Sequence, residues 1–155
     1  MSTAQPTGSE DELARLYRAT IMQHAQEPTG RGKVIRETHR NEQFNPMCGD
    51  RIILFLQVED EVVSDAAFEG EACAICTASA SLLCEHSTGR AVEDIKKTHR
   101  WLEAALHGKA AATDYESLAP LLGVRSYPSR IRCALLPWDA LAAALIVGAC
   151  LARDC

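Results

Sequence analysis

The chain has 155 residues, enough for one domain with a real core and too few for two, and its 47% hydrophobic and 24% charged residues exclude a wholly disordered chain. A net charge of -5 argues against a general grip on nucleic acid, because phosphate binding draws on concentrated Lys and Arg. No run approaches the roughly 20 apolar residues that a membrane helix needs, since the longest apolar stretch is broken by Pro137, Asp139 and Gly148. The opening MSTAQPTGSEDE lacks a basic segment followed by an apolar one, so the expected compartment is the cytoplasm. Seven cysteines in a reducing compartment point to metal binding or thiol chemistry more than to a disulfide framework.

Residues 1–9 read as a loose tail, 10–149 as a single domain and 150–155 as a C-terminal tail. Ser9 followed by Glu10, Asp11 and Glu12 predicts an N-cap with an acidic first turn. Leu13, Leu16, Tyr17 and Ile21 then recur at helical spacing until Pro28 and Gly30. The stretch 30–45 is polar and poorly periodic and ends at the turn dipeptide Asn45-Pro46. Two β-rich runs, 52–58 and 62–68, joined by Glu59-Asp60-Glu61, predict an antiparallel hairpin. The Ala- and Ser-rich segment 74–86 predicts a helix with a small-residue face, and 87–108 a second helix carrying Ile95, Trp101, Leu102 and Leu106. Leu118, Leu121 and Leu122 suggest a short helical turn, and Pro137 is expected to open the last amphipathic helix.

Three separated segments carry the chemistry: Cys48-x-Asp50 on a turn before a strand, Cys73 where a strand gives way to a helix, and Cys133 before the last helix. At element ends, backbone amides can hydrogen-bond a thiolate, and a helix N-terminus lowers a thiol pKa. Three thiolates and a carboxylate suit tetrahedral zinc. The spacing alone leaves two readings open, a metal centre or buried free cysteines packing as small hydrophobes. Asp50 could equally brace its turn, and Arg130 could be an ordinary surface arginine. Cys76 and Cys84 read as packing residues, although Cys76 is close enough in sequence to Cys73 to compete for metal or to form a disulfide on oxidation. His24, on the first helix, stays off the ligand list.

Beyond spacing, Leu16-Tyr17-Arg18, Ile21-Met22, His24, Pro28 and Gly30 resemble the opening of the SufU branch of the iron–sulfur scaffold family, relatives of IscU and the NifU N-terminal domain. Asn45-Pro46-Met47-Cys48-Gly49-Asp50 is similar to the family's first ligand loop. Phe68-Glu69-Gly70-Glu71-Ala72-Cys73-Ala74-Ile75, running on to Ala78-Ser79-Ala80-Ser81, resembles the second, and Arg130-Ile131-Arg132-Cys133-Ala134-Leu135 with Trp138 and Leu141 the third. The resemblance implies an α+β fold, a small antiparallel sheet of about three strands packed with helices.

The same resemblance implies a zinc-dependent sulfurtransferase that accepts persulfide sulfur from a pyridoxal-phosphate cysteine desulfurase of the SufS type and passes it to a downstream assembly scaffold or to apo-proteins. By motif position, Cys48, Asp50, Cys73 and Cys133 would hold the zinc, Cys48 would receive the sulfur, and Arg130 would stand beside the site. Because a zinc-bound thiolate is a poorer nucleophile, transfer would require Cys48 to be released at the partner. The rival reading is a scaffold on which a [2Fe–2S] cluster is built at the same Cys and Asp residues.

Overall fold

The computed structural model describes residues 8–111 and 114–152, with side chains described for 12–111 and 114–146. The expected N-terminal tail through residue 7, and the side chains of Cys150 and Cys155, lie outside the described residues. In chain order the elements are α1 (Gly8–Gln26), β1 (His39–Asn45), β2 (Asp50–Glu59), β3 (Val62–Glu69), α2 (Ala74–Ser87), α3 (Val92–Leu106), a 3-10 segment (Glu116–Val124) and α4 (Pro128–Ala152). The three strands form an antiparallel sheet in the order β1-β2-β3, so the fold is the helix-covered α+β sheet that the resemblance implies.

Alternation along β2 turns Ile52, Leu54 and Leu56 inward, where Phe68 and Ala66 of β3 lie opposite Leu54 and Leu56. The β2–β3 connection tightens to the two residues Asp60 and Glu61, both left-handed at φ 52° and 65°, as a hairpin turn matching the strand twist requires. Strand β1 lies in the stretch that reads as irregular. As an edge strand with the sequence HRNEQFN, it shows no hydrophobic alternation, and its order comes from the β2 ladder and from α4 packed on its inner side.

Helix α2 is buried on almost every side, which its Ala and Ser residues permit by letting α1, α4 and β3 approach closely. His24 of α1 is bound through Nδ1 to Ser81 Oγ of α2 at 2.7 Å, so it joins two helices. Buried Cys84 is pushed up to about 12, chiefly by burial, and lies against Gly30, where a Cβ would come within 2.8 Å of its sulfur.

The last helix begins at Pro128, a full nine residues before the expected start at Pro137. Pro128 takes the first-turn position that suits proline, and Pro137 sits inside the helix, where it cannot donate to the Cys133 carbonyl. Tertiary packing carries the helix through this defect. Ser79 Oγ donates to the Ala134 carbonyl at 2.5 Å and accepts from the indole of fully buried Trp138 at 3.1 Å.

Candidate metal centre

The alternation that buries Ile52, Leu54 and Leu56 also buries Asp50, the first residue of the same strand face, at 2% exposure. A carboxylate there needs partners. Its Oδ1 accepts the Cys73 backbone N–H at 2.8 Å, and its Oδ2 faces Asn45 Nδ2 at 3.4 Å. Asn45 is paired directly with Asp50 in the β1–β2 ladder, and the turn 46–49 between them carries Cys48. Gly49 provides the left-handed step of that turn at φ +72°.

Cys133 enters from above, in the first turns of α4, with no exposed surface. Its thiol donates to the Ser129 carbonyl at 3.6 Å, and Cys48 Sγ approaches the same oxygen at 4.0 Å. Asn45 Nδ2 also lies 3.6 Å from Cys133 Sγ, so this amide touches both a thiol and a carboxylate of the group, while its own Oδ1 is buried without a partner. Cys73 is the N-cap of α2, its Sγ accepting the Cys76 N–H at 3.5 Å. The preceding Gly70 makes this placement possible. At φ +125° it passes so close to β2 that a Cβ would sit 2.0 Å from the Arg51 carbonyl, and Arg51 N–H meanwhile bonds the Glu71 carbonyl at 2.8 Å.

Cys48, Asp50 and Cys133 each offer one ligand atom, and these atoms lie within 4.8 Å of one another. Zn–S bonds of ~2.3 Å and Zn–O bonds of ~2.0–2.2 Å in a tetrahedron put ligand atoms roughly 3.6–3.8 Å apart, so a small inward movement closes the three around one ion. The fourth expected residue, Cys73, is beside the group and not within it, its sulfur held at the helix cap. Cys76, one turn into α2, is fully buried, and burial followed by the charges of Asp50, Cys73 and Cys48 pushes its thiol up. Burial, then the adjoining Cys48, Asp50 and Cys73 groups, likewise push the Cys133 thiol up. Arg130, exposed on α4, is held above its ordinary value by the sulfur groups around it, Cys73 first and then Cys133 and Cys48.

All five histidines are engaged elsewhere: His24 with Ser81, His39 with Thr38, His86 with Thr98, His99 with Asp139, and His107 with the Glu103 carbonyl. The donor set is therefore sulfur and carboxylate oxygen, which zinc accepts. The residues present fit such an ion. Sequence reasoning missed Asn45 and the Ser129 carbonyl; Asn45 reads as half of a turn dipeptide, and only the strand register sets it opposite Asp50.

The profile of the NifU-like N terminal domain matches residues 16–146. The zinc-dependent sulfurtransferase SufU of Bacillus subtilis is 37% identical over 131 residues, covering 83% of this chain and 88% of that protein. The iron–sulfur cluster assembly scaffold protein IscU of Thermotoga maritima is also 37% identical over 131 residues, covering 84% and 92%. Among solved structures, the SUF-system scaffold protein FiSufU of Fervidobacterium islandicum superposes with a TM-score of 0.74 at 27% identity, over 81% of this chain and 93% of that one. A NifU-like N-terminal protein of Brucella abortus shares the fold with a TM-score of 0.77 at 23% identity, over 86% and 94%. With the profile spanning the sheet, the thiol group and most of α4, the chain belongs to the NifU-like N-terminal domain family of iron–sulfur cluster assembly proteins.

Proposed function

We propose that this chain is a zinc-dependent sulfur acceptor serving iron–sulfur cluster assembly, in which Cys48 takes persulfide sulfur from a pyridoxal-phosphate cysteine desulfurase. The observation that carries the reading is the tight grouping of Cys48, Asp50 and Cys133, which suits one ion better than a cluster that spreads its ligands over two metals. Cys73, rotating from its cap, would complete the tetrahedron, and Asp50 would offer Oδ2, its Oδ1 being held by the Cys73 amide. Zinc, when bound, keeps the thiols deprotonated and ties the Cys48 turn to α4. The relative named as a zinc-dependent sulfurtransferase supports the same assignment.

The chain's own residues divide the work. Cys48 and Cys73 are both partly exposed, whereas Asp50 and Cys133 are buried; the Cys73 sulfur is engaged at the α2 cap and Cys48 stands on a turn, so Cys48 is the thiol assigned to meet a partner. Its thiolate attacks the outer sulfur of the partner's cysteine persulfide; a new S–S bond forms on Cys48, the partner's S–S bond breaks, and the partner cysteine leaves as thiolate. Arg130 stabilises the anionic sulfur through a charge-assisted hydrogen bond. A second reading, a scaffold for a [2Fe–2S] cluster at the same residues, draws support from the equally similar IscU relative.

The test is to incubate the protein with a cysteine desulfurase and cysteine, trap thiols by alkylation and map persulfides by mass spectrometry. The expected product is persulfide on Cys48 that disappears in Cys48→Ser. Persulfide at undiminished yield on another cysteine of that variant would refute the assignment.

A further inference from the structure

Cys76 has no part in the sulfur transfer just described, yet it stands in a specific relation to Cys73. The pair forms a Cys-x-x-Cys motif at the start of α2, with Cys73 as the N-cap and its sulfur accepting the Cys76 backbone N–H at 3.5 Å. That contact sets the two residues side by side at the start of the helix, the proximity that a disulfide with its ~4.4–6.8 Å between α-carbons requires. Cys73 is partly exposed and lines an open groove of about 950 Å³ with Arg18, Arg125 and Arg130, which favour an approaching anion. Cys76 is fully buried, out of reach of solvent and adjacent to Cys73. An accessible attacking thiol backed by a shielded resolving thiol is the division of labour that thiol–disulfide exchange uses.

We propose that Cys73 and Cys76 form a redox-active dithiol whose oxidation by a small carboxylate-bearing disulfide withdraws Cys73 from the metal centre and releases the ion. The Cys73 thiolate attacks the small disulfide, forming a mixed disulfide and expelling one thiolate. Cys76 then attacks the Cys73 sulfur and expels the second small thiolate, its proton passing to that departing sulfur. The protein loses two electrons and two thiol protons, and the small disulfide is reduced to two thiols. Formation of the Cys73–Cys76 bond removes a sulfur that a four-ligand site needs, so the remaining Cys48, Asp50 and Cys133 hold the ion less tightly. The release step rests on the zinc reading above, whereas the dithiol chemistry does not.

The test equilibrates zinc-loaded and metal-free full-length protein with glutathione disulfide, maps oxidised cysteines by differential alkylation with fragment-ion mass spectrometry, and follows freed zinc with a chromogenic chelator. The expected result is a Cys73–Cys76 disulfide in both samples, zinc released in step with it and taken up again after dithiothreitol. In Cys76→Ser the intramolecular bond should be lost, and any release should track a mixed disulfide that persists on Cys73. A disulfide mapping to Cys48–Cys133, or zinc release from wild type without the Cys73–Cys76 bond, overturns the proposal. If metal-free protein forms the bond but wild type never retains zinc, the zinc reading fails and the release step falls with it, while the dithiol is upheld.

Discussion

Replacing Gly70 by alanine should damage this protein far more than the same change at Gly49, although both glycines are left-handed and both adjoin the candidate site. At Gly49 (φ +72°) a Cβ meets nothing within 4 Å, so the cost is the left-handed backbone alone, about 1 kcal/mol. At Gly70 (φ +125°) the Cβ would sit 2.0 Å from the Arg51 carbonyl oxygen and 3.2 Å from Ile52 Cα, so backbone must move by more than 1 Å. Strain of roughly 1–3 kcal/mol adds to about 1 kcal/mol for loosening the bond from Arg51 N–H to the Glu71 carbonyl. The sum, about 3 kcal/mol, is a large share of a typical ~5–15 kcal/mol domain stability. For a chain of this size it lowers Tm by roughly 6–12 °C, against about 2–4 °C for Gly49→Ala. Thermal unfolding of both variants followed by circular dichroism measures the difference. Because Gly70 leads into the Cys73 amide that holds Asp50, zinc retention by Gly70→Ala should fall as well. Equal, small Tm changes for the two variants would refute the close-approach argument.

His86 titrates below its ordinary value, at about 4, because it is buried and then because of Arg90 nearby. Its Nε2 bonds Thr98 Oγ1 at 2.9 Å, while its Nδ1 has no partner. The unfolded chain binds this proton below pH ~6.5 and the native state does not until about 4, so the contribution is complete above pH ~6.5 and lost as pH falls through that window. Between pH 7.5 and 5 the loss is about 2 kcal/mol, and urea unfolding at the two pH values should show a smaller loss in His86→Gln; an equal loss would assign it to other groups. Glu61→Gly should raise Tm by roughly 2–4 °C, since Glu61 holds φ 65° without needing its side chain there; an unchanged or lower Tm contradicts this. Asn45→Ala should weaken zinc affinity toward the lower end of the roughly 10–100-fold loss seen when a ligand's supporting contact is removed, because its contacts to Asp50 and Cys133 are long, at 3.4 and 3.6 Å. Chelator competition measures it, and wild-type affinity would show that Asn45 does not support the ligands.

The elements that could be read in the sequence are those whose order is local. The β2–β3 hairpin shows as alternation bounded by a polar turn, α2 as an uninterrupted Ala/Ser run, and α3 as an amphipathic repeat closed by Gly108. Strand β1 and the start of α4 could not be read this way, because tertiary contacts override their local signals. HRNEQFN becomes a strand by pairing with β2, and Pro137 is tolerated inside a helix because Ser79 and Trp138 brace the turn around it. At the site, Cys48, Asp50, Cys73 and Cys133 stand out as chemistry-bearing residues, with Cys133 falling inside α4 and not before the last helix as expected, and the fold brings three of them into one group. The place of Cys73 at the helix cap, and the bridging amide of Asn45, depend on register and φ values that residue spacing does not encode.

The most direct test of the central claim is the metal content of the purified protein by inductively coupled plasma mass spectrometry, read together with its visible spectrum. A zinc-dependent sulfur acceptor predicts about one zinc per chain, a colourless solution, and loss of that zinc in Asp50→Ala and Cys133→Ser. Iron with acid-labile sulfide and visible absorption in the wild-type protein would contradict it and establish the cluster scaffold at the same residues.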